Sequence, residues 1–195
     1  LGGLGGVDRS VVDVVGLEVG AAMERTALFG QDRPLTIEVG RGGDQDIALD
    51  DIATDRRAGR LVQAKFRTGP TPAWPWPDET ELAAFLRAAV NRGLPFKLTG
   101  GLHHAVRGDH PSVAGAVAQP QHGLLNVLLA VHRALGGDDT VGLSSILAEP
   151  DPKALVAAVR ALTEAEVADV RSAFTAYGCC GVTDPITELA DLGLL

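Results

Sequence analysis

Short apolar runs of strand length alternate with segments of helical periodicity along the first half of the chain. The strand-like runs are residues 11–19, 35–39, 61–66 and 95–99. Helix-forming residues occupy the intervening segments 20–29, 46–58 and 81–91. Because each unit spans roughly 25 to 35 residues, the pattern predicts parallel strands joined by right-handed helical crossovers. The predicted class is therefore α/β, with functional loops after the carboxyl ends of the strands.

The length of the chain limits how far this pattern can extend. A complete eight-stranded β/α barrel takes about 250 residues, so a chain of 195 residues predicts parallel β/α units of the TIM-barrel type in an incomplete barrel. A polar loop is predicted up to Gln121, followed by helices at residues 124–135, 152–162, 164–177 and 186–192. The expected organisation is a flexible N-terminal end (1–10), a β/α domain (11–148) and a C-terminal helical extension packed on the same domain (149–195).

Charge and composition argue against several classes of function. The chain carries 17 lysine and arginine residues against 25 acidic ones, and this formal charge of −8 argues against a nucleic-acid partner. Its longest uncharged apolar stretch, residues 124–132, is shorter than the roughly 20 residues of a membrane-spanning helix.

The adjacent thiols of Cys179 and Cys180 favour a reducing, cytoplasmic compartment, with a close-packed turn and a strained vicinal disulfide as the open alternatives. The start at Leu1 predicts a cut or processed end.

Two of the three lysines occupy unusual positions. Lys65 and Lys97 lie near the carboxyl ends of predicted buried strands, each with a glycine shortly after it. Strand alternation gives Lys65 and Arg67 one common face, and Lys97 shares a face with Thr99, so both amines can converge at one end of the sheet. A neutral lysine amine can attack a carbonyl to form an imine, and a second cation nearby favours the neutral form.

The residues around these lysines resemble a known family of enzymes. The run Lys65-Phe66-Arg67-Thr68-Gly69 resembles the Lys-x-x-Thr-Gly strand end of deoxyribose-phosphate aldolase and its class I aldolase relatives. The run Phe96-Lys97-Leu98-Thr99-Gly100-Gly101 is similar to the later Phe-Lys-x-x-Gly-Gly strand of that family. Weaker similarities are Val12-Asp13-Val14-Val15, the acidic strand end at Glu38, and Gly142-Leu143-Ser144-Ser145.

The resemblance implies a class I, Schiff-base carbon–carbon lyase acting on a small aldehyde, ketone or sugar phosphate. It implies that Lys65 forms the imine, that Lys97 favours its neutral amine, and that Asp13 relays protons, with Glu38 as a further catalytic candidate. Substrate-binding candidates are Arg67, Thr68, Thr99, Gly100, Gly101, Ser144 and Ser145, together with His103 and His104, which lie outside the family pattern. The motifs require no metal or other cofactor, and we expect a homo-oligomer.

Other interpretations of the same residues remain open. The two lysines could reach solvent, form salt bridges with Asp13 and Glu38, or bind an anion without forming an imine. The paired glycines fit a tight turn as well as a phosphate contact. The alternative function is a non-catalytic, anion-binding or accessory protein with a relic barrel, whose sheet is completed by a partner or a second copy.

The histidines and tryptophans leave further alternatives open. The spacing of the histidines favours capping or packing over a metal site, although His104 or His122 could act as an acid or base. Trp74 and Trp76, in the proline-rich loop 70–77, could form a lid over the substrate or pack against the domain.

Overall fold

The computed structural model describes residues 13–20, 33–111 and 117–195. Its strands are β1 (Leu17–Val19), β2 (Leu35–Glu38), β3 (Val62–Arg67), β4 (Phe96–Thr99), β5 (Gly108–Pro111), β6 (Ala118–Gln121) and β7 (Phe174–Gly178). Its helices are α1 (Gln45–Arg57), α2 (Glu79–Asn91), α3 (Leu124–Leu135), α4 (Thr140–Leu147), α5 (Pro152–Arg160), α6 (Glu164–Ala173) and α7 (Thr183–Asp191).

The main sheet is parallel and follows the order of the chain. Its five strands run β1-β2-β3-β4-β7, and every neighbouring pair is parallel. A doubly wound sheet reverses its strand order at a switch point, whereas a barrel adds each strand on the same side. The predicted α/β class with incomplete barrel-type units is confirmed, because the five parallel strands keep the order of the chain and form an open sheet in the part of the chain that the structure describes.

One face of the sheet forms the hydrophobic core with the helices. Phe66 and Phe96, on β3 and β4, are fully buried, and the ring of Phe85 from α2 contacts both at centroid distances of 4.6 and 5.5 Å. Side chains alternate between the two faces of a strand, so the residues between these apolar positions emerge on the opposite face. That opposite face carries Lys65 and Lys97.

Most predicted helices agree with the structure because local signals set their ends. The side chain of Asp78 caps α2 in a capping box with Glu81, and Thr163 caps α6 in the same way with Glu166. Helix α3 spans the residues expected of the apolar helix. None of the helices in the described ranges combines the length and the apolar character needed to cross a bilayer.

The predicted helix over residues 164–177 is wrong in its last part. Helix α6 ends at Ala173, and the chain continues as β7, the fifth strand of the main sheet. Phe174 and Tyr177 have a spacing that also fits a helix, but the ring of Phe174 stacks on Phe96 at 5.7 Å as β7 pairs with β4. The segment after residue 148 is therefore part of the sheet as well as a helical layer.

Three other predictions differ from the structure. The predicted loop before Gln121 contains an antiparallel pair, β5 and β6, whose glycine, proline and glutamine residues give no strand pattern. The predicted strand 11–19 is reduced to β1, since residues 13–16 are not in a strand. Ser144 and Ser145 lie inside α4, a helix that the sequence analysis did not predict. The predicted N-terminal end and residues 21–29 of the predicted helix lie outside the described residues.

The close approach of the loops after β3 and β4 gives a stability prediction. A Cβ atom on Gly69 would overlap the backbone carbonyl of Gly100, whereas one on Gly43 would meet nothing within 4 Å. We expect Gly69→Ala to lower the free energy of unfolding by roughly 1–3 kcal/mol, since the backbone must move. Gly43→Ala should change it by less than about 0.5 kcal/mol. Urea unfolding measures both, and equal effects would contradict the tight packing of these loops.

Candidate functional site

Four charged side chains meet on the polar face of the sheet, and we call them the lysine–glutamate cluster: Glu18, Glu38, Lys65 and Lys97. Strand register places Glu38, Lys65 and Lys97 side by side across β2, β3 and β4. The Lys65 Nζ atom lies 2.9 Å from Glu38 Oε2 and 3.4 Å from Glu18 Oε2. The Lys97 Nζ atom donates a hydrogen bond to Glu18 Oε1. Glu18 therefore bridges the two ammonium groups.

The cluster balances two positive charges with two negative ones. Its lysines are the more enclosed members, with side chains 13% exposed for Lys65 and 21% for Lys97. The hydrogen bond from Lys97 is the largest cause that lowers the pKa of Glu18, and it outweighs the opposing effect of burial. Each ammonium group therefore has a carboxylate partner, and Glu18 contacts both lysines. The cluster thus differs from the expectation that Lys97 acts on Lys65 as an unscreened cation.

Asp13 does not join this cluster in the described structure. It is exposed and lies before β1, outside any strand. Glu18 occupies the place in the cluster that the sequence analysis gave to Asp13. A strand alternation anchored on Leu17 and Val19 would have indicated Glu18, because it puts that carboxylate on the opposite face, with the lysines.

Arg67 adds an unbalanced positive charge at the carboxyl end of β3. Its guanidinium lies beside Gly100, where a Cβ would fall 2.6 Å from Arg67 Nη1. Within the described ranges its side chain has no acidic or carbonyl partner. Arg41 lies nearby and donates to the carbonyls of Arg67 and Gly69 at 3.3 and 3.1 Å. This end of the sheet can therefore receive an anionic group.

Thr68 and the two glycines have clear structural roles. Thr68 is buried, and both its backbone N–H and its hydroxyl donate to the carbonyl of Thr99, at 2.8 and 3.3 Å. Gly100 has a φ of +77°, and Gly101 lies against Thr68 where a Cβ would clash. These contacts support the tight-turn interpretation. A substrate role for these residues, and for the partly exposed Thr99, stays a prediction.

The hydroxyls of Ser144 and Ser145 and the ring of His122 form hydrogen bonds away from the lysine–glutamate cluster. Ser144 Oγ donates to the Glu79 carbonyl at 3.3 Å, and Ser145 Oγ donates to the Val141 carbonyl at 3.0 Å. Both hydroxyls therefore serve the helical layer, and no contact joins them to the lysine–glutamate cluster in the described residues. His122 is buried with Nε2 2.9 Å from the Pro77 carbonyl, and burial is the largest cause that lowers its pKa.

His103 and His104 follow β4 and lie against α7. His104 Nδ1 is 2.7 Å from Glu188 Oε1, and the His104 ring stacks on His110 at 3.4 Å. No group of three or more side chains in the described ranges is arranged to hold a metal ion.

No hydrogen bond or ion pair between described residues joins the aromatic loop or the cysteines to the lysine–glutamate cluster. Trp74 is 46% exposed, and its backbone pairs with Thr71. The Pro75 carbonyl accepts a hydrogen bond from Arg41 at 2.7 Å. Cys179 and Cys180 are both free thiols, and burial raises the pKa of Cys179.

Comparisons with known proteins add little to this description. No family model and no curated protein matches the chain. The chain is similar to a crystal structure from Burkholderia cenocepacia J2315, of a protein provisionally described as a phosphonomutase. The two share 18% sequence identity with a TM-score of 0.36, over 94% of this chain and 85% of the other. The architecture given above rests on strand order and register alone.

The hydrogen bond from Lys97 to Glu18 predicts that the free energy of unfolding depends on pH. Because folding lowers the pKa of Glu18, the stability it contributes is complete above the pKa of the unfolded state and is lost as pH falls through the folded pKa. Lys97→Met should raise the pKa of Glu18 and weaken this acid-range loss of stability. Carboxyl ¹³C NMR titration and urea unfolding at several pH values measure the two effects. Lys153→Met, at an exposed position on α5, is the control and should match the wild type.

Proposed function

We propose that the protein is a class I aldolase-like lyase in which Lys65 forms an imine with a small aldehyde or ketone that bears an anionic group. The observation that carries the proposal is the position of Lys65. Its amine is the most enclosed charged group of the cluster and lies within 3.4 Å of two carboxylates. A lysine held on a strand beside carboxylates that can accept its proton has both the nucleophile and the base that imine formation requires.

The cluster contains the proton carriers that imine formation needs. Glu38, at 2.9 Å, accepts a proton from the Lys65 ammonium, which leaves a neutral amine and a carboxylic acid. The amine attacks the carbonyl carbon, and its proton passes to the carbonyl oxygen to give a carbinolamine. The acid then protonates the hydroxyl, water leaves, and a protonated imine forms. Glu38, ionised again, takes the proton of the hydroxyl on the β carbon, the bond between the α and β carbons breaks, and the β carbon leaves as an aldehyde. The electron pair of that bond moves toward the imine nitrogen to give an enamine.

Glu18 and Lys97 support these steps without reacting themselves. Lys97 keeps Glu18 ionised through their hydrogen bond, as the lowered pKa of Glu18 indicates. An ionised Glu18 stabilises the cationic imine on Lys65. Arg67 supplies the charge that would hold the anionic group of the substrate, beside Gly100.

The alternative function is anion binding without catalysis. One observation favours it: each lysine already has a carboxylate partner, so the cluster also satisfies the requirements of a structural ion-pair network. In that case Arg67 would still bind an anion, and no imine would form at Lys65.

Borohydride trapping tests the imine directly. We expect wild-type protein treated with borohydride and a panel of small aldehydes, ketones and sugar phosphates to gain a reduced adduct by intact-mass analysis. Lys65→Arg should lose it, because a guanidinium keeps the positive charge but does not form the imine. Lys153→Ala should keep it. An adduct that persists in folded Lys65→Arg, or no adduct with any carbonyl, would overturn the lyase proposal.

Arg67 gives a separate prediction for the anionic group. Arg67→Gln should weaken the binding of inorganic phosphate about tenfold or more, because a charge-assisted hydrogen bond contributes about 1.5–3 kcal/mol. Isothermal titration calorimetry measures the dissociation constant. Arg171→Gln, at an exposed position on α6, is the control and should bind like the wild type. Phosphate binding through Arg67 without a borohydride adduct would favour the non-catalytic alternative.

A further inference from the structure

The loops that follow β4 and β7 meet at one place beyond the carboxyl end of the sheet. These two strands are neighbours, and the Gly100 N–H donates to the Gly178 carbonyl at 2.8 Å where they end. The first loop leads to His103 and His104, and the second leads into α7, which carries Glu188. Catalytic groups in parallel β/α folds are held at this end of the sheet.

A strained residue sets the direction of the first loop. Leu102 has a φ of +58° and is buried, and it is the single non-glycine residue with positive φ in the described ranges. A leucine in the left-handed region is costly and persists only when its surroundings hold it there. Strain of this kind is concentrated at functional sites, and here it immediately precedes the two histidines.

Glu188 holds this loop through two hydrogen bonds. Its Oε2 accepts from the Ala105 backbone N–H at 2.6 Å, and its Oε1 lies 2.7 Å from His104 Nδ1. When the His104 ring is neutral, its hydrogen belongs on Nδ1, because the carboxylate can only accept. The Nε2 atom then carries the free lone pair, and it has no hydrogen-bond partner among the described residues. A carboxylate that fixes a histidine tautomer in this way prepares the other nitrogen as a base.

The other groups near His104 add little positive charge at neutral pH. Burial is the largest cause that lowers the pKa of His103 and of His110, whose ring stacks on His104. Both rings are therefore largely neutral near pH 7. The nearby acidic groups are Glu188, Asp184, which acts on His103, and Asp109, which acts on His110.

From this geometry we infer that His104 is the general acid–base of the site and that Glu188 is its positioning residue. The inference rests on the proposed function. Once Lys65 holds the substrate as a protonated imine, His104 Nε2 removes a proton from the carbon next to the imine carbon. That C–H bond breaks, an Nε2–H bond forms, and the electron pair moves toward the imine nitrogen to give the enamine. In the reverse direction Nε2–H returns the proton to carbon.

Hydrogen–deuterium exchange separates this step from imine formation. A ketone that gives the borohydride adduct is incubated with protein in D₂O, and NMR follows loss of the C–H signal next to the carbonyl. We expect His104→Asn to slow the exchange roughly 100-fold or more while the trapped adduct stays at the wild-type level. Glu188→Gln should slow it as well, although its side-chain oxygen can still accept from Ala105 N–H. His132→Asn is the matched control, because His132 is also paired with a glutamate, Glu166, at 3.9 Å.

Each outcome decides between the two proposals. Slow exchange with a normal adduct in both variants supports the role of His104, and ¹⁵N NMR of the wild type should then show the Nδ1–H tautomer. Unchanged exchange in folded His104→Asn, or an Nε2–H tautomer in the wild type, overturns the role of His104 and leaves the Lys65 imine intact. If the wild type forms no adduct with any carbonyl, the lyase function fails, and the role of His104 fails with it.

Discussion

The polar face of the sheet depends on one carboxylate shared by two ammonium groups. Strand register brings Lys65 and Lys97 side by side, and two partly buried cations at adjacent strand positions would repel each other strongly. Glu18 removes that repulsion by contacting both, and Glu38 gives Lys65 a second partner. The opposite face of the same strands is apolar and fixed by the packing of Phe66, Phe85 and Phe96. A slip of one residue would therefore bury the charges and expose the aromatic rings.

The sequence predicts the parts of this arrangement that local patterns encode. Apolar runs identify β2, β3 and β4, and alternation correctly puts both lysines on the polar face. The sequence does not identify β7. Phe174 and Tyr177 fit a helical spacing, and the strand is recognised only by its pairing with β4. The sequence analysis also misses Glu18, because the family resemblance assigns the acidic role to Asp13, five residues earlier in the chain. Both β7 and the position of Glu18 depend on contacts between segments that are distant in the chain. The periodicity of a short window does not reveal such contacts.

The two proposed reaction steps make different demands on the fold. Imine formation needs a lysine and a proton acceptor at fixed distance, and adjacent parallel strands hold Lys65 and Glu38 with little freedom. Proton transfer at carbon needs a base that approaches a bound substrate, and loops at the carboxyl ends of strands commonly carry such groups. The left-handed backbone of Leu102 and the two hydrogen bonds from Glu188 define the conformation of the loop that carries His104.

The charge of the whole chain bears on the proposed role of Arg67 in binding an anionic substrate. The chain has a formal charge of −8, so its long-range field disfavours the approach of anions. The lysine–glutamate cluster has no net charge and does not reverse that field. Within the described residues, the local positive charge at the carboxyl end of β3 comes from Arg67 and from Arg41, whose donors are already used by backbone carbonyls. In the proposed function, the guanidinium of Arg67 would therefore select an anionic substrate at short range, because salt screens the long-range field of the whole protein.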